Sequence, residues 1–91
     1  MRQKLFAIED IFNIVGRGIV IVGEAQANLP PIKLGDAIVL ILPDGTEISA
    51  DNGGVDRVQT VSGNKKIGIL IRNLTKAEIP VGTIAFLTNS K

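Results

Sequence analysis

Phe6-Ala7-Ile8-Glu9-Asp10-Ile11-Phe12-Asn13-Ile14-Val15-Gly16-Arg17-Gly18-Ile19-Val20-Ile21-Val22-Gly23 is the stretch that decides the fold. Two runs rich in Ile, Val and Phe are cut by Gly16-Arg17-Gly18. A branched Cβ loses little rotamer freedom on a pleated surface, so such runs favour strands. Glycine opens the positive φ that a tight reversal needs. The stretch therefore predicts a hairpin, with strands over residues 6–15 and 19–24. The same bias fills the chain: 14 Ile and 8 Val make 22 of 91 residues, against three Phe and no Trp or Tyr.

Working outward, turn signals recur every 8–12 residues or so, the spacing of a sandwich or barrel. Pro30-Pro31 and Gly35-Asp36 precede a third strand at 37–42. Pro43-Asp44-Gly45 is a hairpin turn, in which Pro presets φ and Gly accepts φ > 0. The fourth strand is 46–50. Asp51-Asn52-Gly53-Gly54 reads as a loop, followed by a fifth strand at 55–61. Ser62-Gly63-Asn64 turns into a sixth at 66–72. Thr75 and Glu78 have capping-box spacing, and Pro80 comes too soon for more than one helical turn. A seventh strand spans 83–87. No long helix is available to cover a sheet, and closure removes sheet edges. The expectation is an all-β fold: one small, closed, mostly antiparallel β-barrel domain over residues 1–91.

The composition excludes much chemistry. With no His and no Cys, histidine bases, Ser–His–Asp and Cys–His nucleophile systems, His- or Cys-ligated zinc, haem, Fe–S centres and disulfides are all ruled out. Ten basic and nine acidic residues leave a net charge of +1, too balanced for a dedicated polyanion binder. The longest apolar run, 37–42, is far short of a membrane span. Glu9-Asp10 interrupts any secretory apolar region near the start. The chain is expected to be a complete, soluble, cytoplasmic protein without metal, cofactor or membrane partner.

No catalytic constellation survives inspection. Gly16-Arg17-Gly18 with Gly23 lacks the spacing and the following helix of a dinucleotide loop. Gly18 and Gly23 are followed by Glu24 rather than the Lys of a phosphate loop. Glu9 and Asp10, as strand neighbours, are expected on opposite faces and so cannot share a substrate atom. Asp51, Asn52 and Asp56 resemble a calcium loop, but its twelfth position is Ser62 rather than Glu. Arg57, Lys65, Lys66 and Arg72 read as a solvated basic edge. An enzyme is not expected.

One pattern departs from a wet-surfaced barrel. Strands there alternate apolar-in and polar-out, yet Ile19-Val20-Ile21-Val22 and 37–42 are apolar throughout. If strands two and three are adjacent, Val20, Val22, Ala37, Val39 and Ile41 form an outward apolar face. A patch of this kind marks a binding or oligomer surface.

The run from Phe6 to Gly23 resembles the opening of domain 2 of elongation factor Tu and its translation-GTPase relatives, a family that reads IEDVF.I.GRGTV.TG. The similarity continues through Ile32-Lys33-Leu34-Gly35-Asp36, resumes at Gly54-Val55-Asp56, and returns from Ile67 to Ala85, where the family reads NVGLLLRG...EEI.RGQVLA. Nearly the whole chain is covered. The resemblance implies a closed barrel of the translation-protein type. It brings none of the family's GTPase motifs and no third domain, so the chain is not expected to hydrolyse GTP. In elongation factor Tu this domain helps hold the aminoacylated 3′ end of tRNA. Carried over by position, Ile14, Val20 and Leu70 are the apolar walls around the terminal adenine. Asp56 stands for a Glu that meets the adenosine. Glu9, Asp10 and Phe12 match residues near the aminoacyl group.

The sequence also departs from the family. Val22 stands for a Thr and Lys66 for an Asn, and outward acids of the third strand become Ala37 and Val39. Polar groups have given way to apolar ones. The resulting expectation is a non-enzymatic, stand-alone barrel acting as an interaction or oligomerisation module, a dimer or higher, or docked on a larger protein. The alternative is a module that binds an RNA 3′ adenosine end or a small ligand.

Overall fold

The computed structural model describes residues 2–24, 32, 36–59 and 65–88. Seven strands form in chain order: β1 (Arg2–Ile14), β2 (Gly18–Glu24), β3 (Ile38–Ile41), β4 (Glu47–Ala50), β5 (Asn52–Gln59), β6 (Lys65–Ile71) and β7 (Ile84–Thr88). All pairings are antiparallel. The sequence places all seven, within a few residues at most ends. β1 begins at Arg2 rather than Phe6, because its first residues pair with β7, Arg2 opposite Thr88. β3 is trimmed to Ile38–Ile41. The radius of gyration is 12.2 Å, that of a compact chain of this length. No helix among the described residues is long and apolar enough to cross a membrane. The expected turn at 62–64 and most of the 25–35 segment lie outside the described residues.

The expected closed barrel is corrected. The hydrogen-bonded order is β4-β3-β7-β1-β2-β6-β5, with β4 and β5 at its two ends and unpaired with each other. Two sheets share the molecule. β1 pairs with β7 over Arg2–Ala7 and with β2 over Ile8–Ile14, so one bent strand serves both. At the opposite corner the chain passes from β4 to β5 through the single residue Asp51. Among the described residues each half of that second strand pairs on one side only, β4 with β3 and β5 with β6. The two ends of the sheet are thus joined covalently at Asp51 although no ladder among the described residues joins them. Strands that switch sheets at bulges or bends make such corners.

The bulges explain positions where simple alternation fails. A register shift between Lys4 and Phe6 turns both Leu5 and Phe6 into the core. A second, between Ile8 and Asp10, leaves both Glu9 and Asp10 exposed. The expectation that these two carboxylates face opposite ways is therefore overturned by the extra residue. Asp51-Asn52-Gly53-Gly54 is likewise not a plain loop. Asn52 begins β5, is 1% exposed, and its Oδ1 accepts the Gly54 N–H at 2.9 Å across a third bulge.

The core is almost wholly aliphatic. One inward row runs Ile11–Ile21–Ile69–Val55 across β1, β2, β6 and β5. Ile38, Leu40, Ala50 and Ala85 fill the other sheet's inner face, and Leu74 and Ile79, from the segment between β6 and β7, complete the core. Each fully buried Leu or Ile contributes roughly 1.5–3 kcal/mol relative to exposure. Phe6 lies over Gly23, whose missing side chain makes room for the ring. Two expected turns form as read. Gly45 has φ of +92°, its N–H donates to the Leu42 carbonyl, and Asp44 Oδ1 accepts the Thr46 N–H. Thr75 N–H and Oγ1–H both donate to the Glu78 carboxylate, at 2.8 and 3.0 Å, over the single 3-10 turn Lys76–Glu78.

Candidate functional site

The site is built from the outer face of β1, β2, β6 and β5. Burial alternates along β2, with Ile19, Ile21 and Gly23 buried and Val20 and Val22 half-buried. Pairing carries the outward residues into rows. One row runs Phe12–Val20–Leu70–Gly54, and the next runs Asp10–Val22–Gly68–Asp56. At about 4.8 Å per strand, Phe12 to Leu70 spans roughly 10 Å. Ile14 stands one step further along β1, opposite Gly18.

Phe12, at 49% exposure, and Ile14, at 37%, are among the most exposed large apolar side chains described. Gly54 and Gly68 keep the surface low on the far side. A Cβ at Gly68 would stand 3.1 Å from Val20 Cγ1, so the floor between Val20 and Val22 is backbone. The Leu70 and Arg72 side chains lean over Gly53. A shallow apolar surface with backbone on its floor suits a flat ring better than a bulky chain.

Charge gathers at one end. Glu9 forms an ion pair with Lys66, and Lys66 lies in register with Glu24. Asp10 Oδ1 accepts the Ile11 N–H at 3.0 Å, which fixes that carboxylate beside the bulge. Asp56 is set across Gly68 by register, though its side chain lies outside the described residues. Among the described side chains here, the carboxylates of Glu9, Asp10 and Glu24 outnumber the Lys66 ammonium. Away from this face, the Asp44 carboxyl is held below the usual carboxylate range by the Thr46 N–H. Among the described residues no group of three or more His, Cys, Asp or Glu is arranged to hold a metal ion.

All seven positions carried over by resemblance, Glu9, Asp10, Phe12, Ile14, Val20, Asp56 and Leu70, therefore fall on one face or at its edge. The apolar face across strands two and three does not form. β2 and β3 are separated in the sheet by β7 and β1. Val20 and Val22 belong to the β1–β2–β6–β5 face. Ala37 is exposed, and Val39 and Ile41 lie half-buried in the other sheet, opposite Phe86 and Ile84. Of the expected basic edge, the two described side chains each meet a carboxylate. Lys66 pairs with Glu9, and Arg72 Nη2 meets Asp51 Oδ1 at 3.2 Å. The side chains of Arg57 and Lys65 lie outside the described residues.

Sequence reasoning missed three contributors. Ile84 and Phe86 sit at alternating positions around buried Ala85, and the period-2 reading applied to strands two and three would have found them. The Glu9–Lys66 pair links residues 57 apart in the chain and has no local signal. No family model matches the chain.

Proposed function

We propose that the chain is a non-enzymatic binding module of the translation-GTPase domain-2 type, working in the cytoplasm. Its β1–β2–β6–β5 face receives the adenosine end of an RNA. The observation that supports this is the register: it gathers Phe12, Val20 and Leu70 in one row and Asp10, Val22 and Asp56 in the next. Aliphatic walls and an aromatic ring take the face of a base, and carboxylates accept from ribose hydroxyls or an amine. The near-neutral charge implies weak binding, because phosphate contacts supply most RNA affinity.

Titration with adenosine and with a CCA-ended oligonucleotide, followed by NMR, tests the reading. Shifts at Ile14, Val20 and Leu70 are expected. Their absence up to millimolar ligand overturns it. Phe12→Ala is expected to weaken binding, since stacking on an aromatic contributes about 1–3 kcal/mol per base.

A second reading, an interaction module that meets itself or a larger protein, is favoured by the other sheet. There the outward positions Val39, Ile41, Ile84 and Phe86 of β3 and β7 are apolar and partly exposed.

A further inference from the structure

We propose that two copies of this chain pair two-fold symmetrically through the outer face of β3 and β7. The proposal rests on the interaction-module reading and supplies the surface and partner that it lacks. Register writes the face as two rows across four strands. One is Glu47–Ile41–Ile84–Ala7 and the other is Ser49–Val39–Phe86–Lys4. The four large apolar residues occupy the two central strands. Their neighbours Ile38, Leu40 and Ala85 are buried, so alternation turns Val39, Ile41, Ile84 and Phe86 outward.

The charges choose the occupant. Glu47 and Lys4 are both exposed and stand at diagonally opposite corners of this rectangle. A C2 interface is isologous, so the patch must complement itself. A two-fold axis that lies between the copies and crosses this diagonal at right angles exchanges its two ends. Glu47 of each copy then faces Lys4 of the other, and the apolar quartets meet at the usual sheet-on-sheet spacing of about 10 Å. A surface with only one sign of charge at its corners would repel its own copy. The face belongs to the sheet that does not carry the adenosine site, so pairing leaves that site open.

The quartet is small beside the roughly 800 Å² per partner of a standard interface, so the dimer is a weak one. Sedimentation velocity from about 10 μM to 1 mM at low salt is expected to show a reversible monomer–dimer equilibrium that weakens with added salt. Val39→Lys should abolish it. Lys4→Glu and Glu47→Lys should each weaken it about tenfold through like-charge contacts. The double swap, Lys4→Glu with Glu47→Lys, should recover it, and an equimolar mixture of the two single variants should form the heterodimer. Recovery in the swap also shows that the single variants failed through charge rather than through folding. A clean monomer at 1 mM overturns the proposal. So does a dimer that Phe12→Lys disrupts and Val39→Lys does not, or a double swap that stays monomeric. The adenosine titration is unaffected by any of these outcomes, so the two readings fail separately.

Discussion

Gly23 and Phe6 show how far a single missing side chain reaches. Gly23 faces inward in β2, and a Cβ there would overlap the Phe6 ring and stand 2.7 Å from the Ala7 carbonyl oxygen. Gly23→Ala is therefore expected to destabilise by about 1–3 kcal/mol through overpacking. Chemical denaturation measures it. Combining the change with Phe6→Leu should recover part of the loss, because the two residues touch. Asp44 makes the complementary point on the surface. Its carboxyl is held below its ordinary value of 3.8 by the Thr46 N–H. A carboxylate with a depressed folded-state pKa contributes stability above its unfolded value, and that contribution is lost as pH falls through the lowered one. Asp44→Asn should lower stability slightly near neutrality and flatten the stability–pH curve below 3.8, so that denaturation midpoints of the two proteins converge at low pH. The turn at Asp44 was legible in three adjacent residues. The Phe6–Gly23 contact was not, because it joins residues 17 positions apart across a bulge that no local pattern announces.

At the scale of elements, the bent strands decide what faces where. Period 2 predicts β2, β3, β6 and β7 well, since each keeps one phase throughout. It fails in β1, where two bulges reset the phase, and at Asn52, where a glycine pair hides the start of β5. These failures have one physical cause: a strand that serves two sheets must bend, and bulges supply the bend. They also determine the candidate site, because the second bulge is what brings Glu9 and Asp10 out together. The other corner is held by the segment after β6. Asn73 Oδ1 accepts the Asp51 N–H at 2.7 Å, Asn73 Nδ2 donates to the Ser49 carbonyl at 3.2 Å, and the Arg72 N–H donates to the Asp51 carbonyl at 3.1 Å. Asn73→Ala removes two of these bonds and should cost roughly 1–3 kcal/mol. Faster amide exchange at Asp51 is the local readout. If the clamp holds the corner, that amide responds more than those of β2.

Over the whole molecule, the open ladder sets a gradient of stability. Among the described residues, β1, β2, β3, β6 and β7 each have neighbours on both sides, whereas β4 and β5 have one. Amide exchange should be slowest in β2 and β6 and fastest in β4 and the far half of β5, since edges open at lower free energy than the interior. Uniform protection across all seven strands would contradict an open order. Strand content and antiparallel pairing were legible from composition and turn spacing. Strand order was not: β2 and β3 are apolar in the same way, and only long-range pairing with β7 and β1 between them reveals that they serve different faces.

The pairing of Arg2 with Thr88 has one more consequence. Residues opposite one another in an antiparallel ladder are about 5 Å apart, so the first and last strands arrive and depart through a single doorway. A host chain interrupted at one surface loop would accept this unit without being stretched, and a linker of a few residues would tie its ends into a circle. Reopening that circle at the exposed Asp44–Gly45 turn should yield a permuted chain with the same strand order. Neighbouring ends are what domain insertion and circular permutation need, and a unit so inserted would keep both of its apolar faces.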